Sequence, residues 1–215
     1  MSGLVGTAGS KSGIIGQLSG REHIATFDGY TNPQSSGSGD VGEVQGGHST
    51  LGSGLDKVYR PQYEHYIIDI SNLGISGSGQ QILFRFVNSS GSYLDGNYNY
   101  IGHGKYASDG GSGDHNQVEN NDSKIELIAN CQGATGCAIN GTIKLTGMGS
   151  PSAEFAVITG NFSAPVGGSG EHAIQSLSGF YTNSGSNVHG FFIYVGTIGT
   201  YFNSGQISVY GIRKR

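Results

Sequence analysis

The sequence is poor in charged residues and in proline, and both shortages limit the structural classes to which the protein can belong. Charged residues make up 12% of the chain, about half the usual share of roughly 25%. Only 4 of 215 residues are proline and glycine follows no collagen-like period, which excludes a triple helix. No apolar run approaches the roughly 18 residues of a membrane span. A basic patch followed by an apolar core is also missing at the N-terminus, so we expect neither a membrane segment nor a signal peptide.

Basic residues are scarce as well. The formal net charge is -4, and the one cluster of Lys and Arg is Arg213-Lys214-Arg215 at the C-terminus. Proteins that bind nucleic acid present a basic patch to the phosphates. We therefore expect no nucleic-acid partner and interpret the three residues as a solvated tail.

The chain has two cysteines, Cys131 and Cys137, separated by five residues. The spacing is compatible with a disulfide that closes a hairpin loop, and equally with two unpaired thiols in a reducing cell. It does not match the usual zinc spacing, and no pair of histidines lies nearby. The sequence leaves the redox state of this pair open.

Glycine is abundant, with 40 residues against a usual share of roughly 7%. Residues 1–22 carry a glycine every few positions, and their small apolar residues are too sparse to form a core. Such a segment is predicted to be an extended arm that docks on another chain, with Leu4, Val5, Ile14 and Ile15 as anchors. The alternative is that the arm folds back along its own sheet. Residues 29–56 form a second glycine-rich stretch, predicted to be a loop or an extended segment.

From residue 57 onward, apolar residues alternate with polar ones at the period of a half-buried strand. Two further runs, residues 155–158 and 191–195, are continuously apolar and predict strands buried on both faces. Clusters of Gly, Asn, Ser and Asp between the runs predict turns. They include residues 88–91, 109–114, 147–151, 167–170, 183–186 and 203–205. About eight to ten strands with such spacing indicate an all-β, antiparallel, two-sheet sandwich over residues 23–215.

No pattern in the sequence points to catalysis, a metal or a cofactor. The 7 histidines are scattered singly, and residues 109–114 lack the alternating acidic ligands of a calcium loop. A nucleophile elbow and a dinucleotide fingerprint are both missing. No pair among the 15 acidic residues is marked as a glycosidase pair. We therefore expect a structural or binding protein rather than an enzyme.

Tyrosines are clustered at Tyr93, Tyr98, Tyr100 and Tyr106, among Asn, Asp and Gly. Binding surfaces for sugars and for proteins use this composition, so the four residues are a candidate ligand surface. The alternative is a tyrosine-rich strand whose rings cover the edge of the sandwich, since aromatic residues are common in strands.

Several segments resemble parts of a known protein family. Tyr63-Glu-His-Tyr-Ile-Ile-Asp-Ile-Ser-Asn-Leu73 resembles an opening strand of the virion proteins of tailed phages. Ile82-Leu-Phe-Arg-Phe-Val-Asn-Ser-Ser-Gly-Ser-Tyr93, which continues to Asn97-Tyr-Asn-Tyr100, resembles the next element. The most specific match is the closing Asn203-Ser-Gly-Gln-Ile-Ser-Val-Tyr-Gly-Ile-Arg-Lys214. Gly9-Ser-Lys-Ser-Gly-Ile-Ile-Gly16 is similar to N-terminal segments of marine and cyanobacterial phage structural proteins.

The resemblance implies a jelly-roll sandwich in a capsid decoration protein, a head fibre or a tail-fibre tip. No coiled-coil shaft precedes the domain, which favours decoration or head fibre. The implied location is the virion, assembled in the host cytoplasm, with the major capsid protein as a partner of the arm. The group also implies a homotrimer, which would cover exposed sheet edges. The alternatives are a tail-associated tip that recognises a host surface glycan, a free lectin, and a carbohydrate-acting enzyme.

Overall fold

The computed structural model describes residues 20–28, 44–46, 60–90, 92–108, 111–133, 138–149, 153–166, 171–183, 185–196, 200 and 202–214. These residues form twelve β-strands and one short 3-10 helix, Gly185–Asn187. The strands are β1 (Arg21–Asp28), β2 (Val44–Gly46), β3 (Tyr63–Ile75), β4 (Gln80–Val87), β5 (Tyr98–Ser108), β6 (Gly111–Asp122), β7 (Ile125–Cys131), β8 (Ile139–Thr146), β9 (Ala156–Pro165), β10 (His172–Tyr181), β11 (Gly190–Val195) and β12 (Phe202–Arg213). In this part of the chain no helix is long or apolar enough to cross a membrane.

The strands form two antiparallel sheets of unequal size. The larger has eight strands in the order β1-β12-β3-β8-β9-β10-β5-β6, and the smaller has four in the order β2-β11-β4-β7. Buried residues of both sheets belong to one apolar cluster. The protein is therefore all-β and β-sandwich-like, as the alternating pattern predicts.

Strands from the two halves of the chain pair in nested fashion. The third strand pairs with the last, β3 with β12. The fourth pairs with the last but one, β4 with β11. The fifth pairs with the tenth, β5 with β10. These three pairs join residues far apart in sequence and lie in both sheets.

The alternating residues of the sequence fill the core between the sheets. In β3 the side chains of Tyr66, Ile68 and Ile70 are buried, whereas Ile67 and Asp69 are partly exposed. Ile143 and Leu145 of β8 repeat this pattern. Each fully buried side chain of this kind stabilises the fold by about 1.5–3 kcal/mol, so the alternation fixes which face turns inward.

Aromatic rings of the smaller sheet occupy the middle of the core. The rings of Phe84 and Phe86 on β4 meet edge to face at 4.9 Å, and Phe84 stacks on Phe191 of β11 at 6.1 Å. All three are fully buried. The outer face of this sheet also carries an apolar cluster, in which Phe192 stacks between Tyr93 and Tyr194. Both faces of β11 are thus buried, as its continuous apolar run predicts.

Three local predictions are corrected by the structure. Residues 155–158 do not form a strand buried on both faces, because Val157 is partly exposed and β9 buries only alternate residues. Within the predicted turn at 109–114, residues 111–114 start strand β6. The predicted turn at 203–205 lies inside β12, where the pairing with β3 shifts register and Gly205 adopts a φ of 85°. The glycine there belongs to a β-bulge and not to a turn that reverses the chain.

The glycine-rich segments fall mostly outside the described residues. Strand β1 begins at Arg21, two residues before the domain boundary expected at residue 23, and its Glu22 forms an ion pair with Arg213 of β12 at 2.7 Å. Of the stretch 29–56, the structure describes β2 alone, which pairs with β11 at the edge of the smaller sheet. The anchors Leu4, Val5, Ile14 and Ile15 lie outside the described residues.

Candidate functional site

The structure separates the four tyrosines of the candidate ligand surface. Tyr98 and Tyr100 are buried, with 0% and 5% of their surface exposed. The hydroxyl of Tyr98 accepts a hydrogen bond from the Phe86 backbone N–H at 2.8 Å and donates one to the Leu94 carbonyl at 2.7 Å. Both polar contacts of this hydroxyl are therefore internal, and the ring holds the β4–β5 connection against the core.

The other two tyrosines lie on different elements of the fold. Tyr93 stacks on Phe192 at 4.6 Å, on the outer face of the smaller sheet. Tyr106 of β5 is half-buried and lines a cavity on the larger sheet. The four residues therefore form no common exposed surface, because Tyr98 and Tyr100 face inward on β5 and Tyr93 lies outside that strand. Only Tyr106 remains in a candidate site.

Cys131 is a free thiol buried at the end of β7. Burial raises its pKa to about 12, with a smaller contribution from the charge of Glu126. Cys137 lies outside the described residues. A thiol with so high a pKa is a poor nucleophile and a poor metal ligand at neutral pH, so Cys131 has the character of a core residue.

A buried carboxyl connects the two sheets where the smaller one ends. Glu126 is on β7, the edge strand of the smaller sheet, and only 9% of it is exposed. Its Oε2 accepts a hydrogen bond from the Gln81 side chain of β4, and its Oε1 accepts one from the Gln117 side chain of β6. The carboxyl thus joins an amide of its own sheet to an amide of the opposite sheet.

The environment of Glu126 favours its neutral form. Burial raises the pKa of this carboxyl above its usual value of 4.5. The negative charges of Glu119 and Asp122 add to the rise, while the positive charge of Lys124 opposes it. A neutral carboxyl both donates and accepts hydrogen bonds, so protonation changes what the group offers its neighbours.

A cavity of about 270 Å³ lies beside this polar cluster. Gln175 of β10 connects the two, since its Nε2 donates to the Oε1 of Gln117 at 3.2 Å and the residue also lines the cavity. Only 2% of Gln175 is exposed. The cavity is lined by Tyr106, Ala129, Asn130, Val166, Glu171, Ala173 and Gln175. We call this space the polar cleft.

Glycines of the larger sheet make room for the side chains of the polar cleft. A Cβ on Gly113 would lie 2.5 Å from the Cζ of Tyr106, so the tyrosine ring covers this glycine across the β5–β6 pair. A Cβ on Gly102 would lie 2.9 Å from the Nε2 of Gln175 and 3.0 Å from the Oε1 of Gln117. A side chain at either position would therefore push into the cluster.

The opposite, outer face of the larger sheet carries several polar side chains. Asp69 accepts hydrogen bonds from Arg21 at 3.2 Å and from Thr142 at 3.0 Å, and Ser176 donates to Asn161 at 2.7 Å. The contacts are short-range and run from strand to strand, so they tie the sheet together across its solvent side. The outer face differs from the polar cleft in having its polar groups open to water.

Sequence reasoning missed Glu126, Gln117 and Gln175. Gln175 follows the alternation of β10, in which Ala173, Gln175 and Leu177 are buried, so a lone amide at a core position was the signal available. Glu126 has no such signal, because a glutamate beside Ile125 resembles the exposed side of an edge strand. Its burial depends on β6, a strand that the sequence did not predict.

Within the described residues, no three His, Cys, Asp or Glu side chains are grouped closely enough to hold a metal ion. Comparison of the chain with protein-family models, with curated proteins and with solved structures finds no match.

Proposed function

We propose that this protein is a structural component of a tailed-phage virion, a capsid decoration or head-fibre protein. The observation that carries the proposal is the nested pairing of β3 with β12, β4 with β11 and β5 with β10. Such pairing is what results when a long antiparallel ribbon folds over into two sheets, as in a jelly roll. Jelly rolls are a frequent architecture of viral coat proteins.

The jelly roll proposed here carries two additional central strands. Strands β8 and β9 lie between β3 and β10 in the larger sheet, and β1 and β6 are added at its two edges, which together widen it from four strands to eight. The smaller sheet keeps four strands. A broad sheet of this kind supplies a large outer face, which suits a module that lies on or projects from a particle.

We further propose that the protein is a homotrimer. Three large apolar side chains are exposed on the outer face near the end of the larger sheet: Ile101 at 60%, Ile174 at 70% and Val118 at 74%. Ile101 and Val118 are direct cross-strand partners, and β6 is the edge strand. Contact between copies would cover both the apolar side chains and the edge. Native mass measurement should give a trimer, and a 22.3 kDa monomer alone would contradict it.

In this proposal the glycine-rich arm attaches the domain to other virion proteins such as the major capsid protein. The arm precedes β1, which is the edge strand of the larger sheet opposite to β6. The competing role is a tail-associated tip that recognises a host surface glycan. Immunogold imaging of intact particles distinguishes head from tail, and particles without the protein would refute both roles.

A deletion tests the attachment. Removing residues 2–20 leaves every described strand in place, since β1 begins at Arg21. The truncated protein should fold and remain soluble but no longer incorporate into particles. The full-length chain, expressed in parallel in the same infection, is the control. Normal incorporation of the truncated protein would show that the arm is not the docking element.

A further inference from the structure

The polar cleft has the features of a small-molecule site rather than of a packing defect. Its volume of about 270 Å³ is close to the roughly 300 Å³ at which small-molecule sites begin. Its lining includes a half-buried tyrosine, Tyr106, and a buried glutamine, Gln175. Asn130 and Glu171 are further polar residues of the lining. An apolar wall with a few convergent polar groups is the usual composition of a ligand pocket.

We infer that the polar cleft binds a neutral saccharide unit. A sugar ring has a C–H face that packs on an aromatic ring and hydroxyls that each donate and accept hydrogen bonds. The cleft offers the ring of Tyr106 for the first contact. For the second it offers the amides of Gln175 and Asn130, which both donate and accept.

The charge of the cleft disfavours anionic ligands. Among the described residues of its lining, the one charged side chain is that of Glu171. Phosphate, sulfate and acidic sugars would meet this carboxylate, and no lysine or arginine is among the described lining residues to offset it. Neutral hydroxyl groups carry no such penalty.

Gln175 connects the cleft to the buried cluster. Its Nε2 is held by Gln117, which is in turn held by Glu126. The amide therefore has a fixed orientation before any ligand arrives, and fixed groups lose little entropy on binding. Gln117 and Glu126 thus position Gln175 and do not themselves touch the ligand.

The experiment is a titration of the full-length protein, followed by NMR chemical shifts. The probes are the methyl glycosides of glucose, galactose, mannose and N-acetylglucosamine, and neutral trisaccharides built from them. Saturable shifts with a dissociation constant on the order of 1 mM are expected for at least one probe. Binding of a monosaccharide glycoside indicates that a single unit suffices, and binding of trisaccharides alone indicates a polysaccharide ligand. No saturable binding by any probe overturns the inference.

Two variants and a control locate the binding. Tyr106→Leu removes the ring, and Asn130→Gly removes an amide at a position whose φ of 52° glycine adopts freely. Each should weaken binding about tenfold or more. Ser178→Ala, on the exposed face of the same strand as Gln175, should leave affinity unchanged. Unchanged affinity in both cleft variants would overturn the inference.

The inference does not depend on a place in the virion. Saccharide binding is measured on the isolated protein, whereas the proposed function is tested by imaging particles. A protein absent from particles that still binds a sugar would refute the first proposal and leave the second intact. A virion protein with no affinity for any probe would do the reverse.

Discussion

The side chain of Gln117 on β6 donates a hydrogen bond to the buried carboxyl of Glu126 on β7, and this contact joins an edge strand of the larger sheet to an edge strand of the smaller one. The carboxyl also accepts from Gln81 in its own sheet. Of the three side chains, Glu126 alone is buried, whereas Gln117 is partly buried and Gln81 is exposed. A buried polar group is costly unless it is paired, so the carboxyl depends on both amides.

This relationship predicts a pH dependence of stability. Because burial raises the folded-state pKa of Glu126 above 4.5, the folded protein binds this proton more tightly than the unfolded chain. The stabilisation is complete below pH 4.5 and is lost as pH rises through the folded-state pKa. Glu126→Gln removes this contribution. The free energy of unfolding of the variant, relative to that of the wild type, should therefore increase as pH rises through the same range.

Urea denaturation at a series of pH values measures the effect. Glu154→Gln is the matched control, since Glu154 is exposed and the same charge is removed. The plot of unfolding free energy against pH for Glu126→Gln should diverge from that of the wild type, and Glu154→Gln shows what removal of an exposed charge does over the same range. If the Glu126→Gln plot runs parallel to that of the wild type, Glu126 does not titrate differently in the folded state.

Two glycines with the same backbone conformation predict different costs of substitution. Gly96 has a φ of 73° and open space around a built Cβ, so Gly96→Ala should cost only the left-handed conformation, about 1–2 kcal/mol. Gly205 has a φ of 85°, and its Cβ would overlap the backbone carbonyl of Asn72. Gly205→Ala should therefore cost more, on the order of 3 kcal/mol. Equal losses in thermal denaturation would show that the β12 bulge relaxes around the new methyl group.

The strands that the sequence predicted are those whose buried residues are aliphatic or aromatic. Ile82, Phe84 and Phe86 alternate with less apolar neighbours, and hydrophobic burial follows directly from that period. The same holds for Ile143 and Leu145. These strands form the centre of the sandwich, where both sheets are present to cover them.

Strands β5, β6 and β10 gave a weaker signal because small or polar residues occupy their inner face. Gly102 and Gly104 in β5 are buried without contributing an apolar side chain. In β6, Gly113 is packed by the ring of Tyr106 from the neighbouring strand. Read from the sequence alone, without the neighbouring strand whose ring covers it, such a glycine indicates a turn. The polar cleft lies between β5 and β10 of the larger sheet and β7 of the smaller one, and the weak signal of the first two is why the sequence did not reveal it.

Truncation of a side chain at the centre of the core should cause a large loss of stability. Phe84 is fully buried between the rings of Phe86 and Phe191. Phe84→Ala should lower the free energy of unfolding by about 3–5 kcal/mol, through lost burial and the cavity left behind. Lys144→Ala, at an exposed position of β8, should change it by less than about 0.5 kcal/mol. Chemical denaturation of both variants checks the contrast, and similar losses would refute the assignment of Phe84 to the core.

The last prediction concerns the reactivity of Cys131. Its thiol is buried and free, and burial raises its pKa to about 12. Thiolate is the reactive form, so both shielding and pKa slow alkylation of the folded protein. In a Cys137→Ser variant, which leaves Cys131 as the single cysteine, iodoacetamide should react at neutral pH only after denaturant unfolds the chain. Mass spectrometry of the native and denatured samples gives the labelled fraction. Rapid labelling of the native variant would contradict the burial of Cys131 and place the end of β7 at the surface.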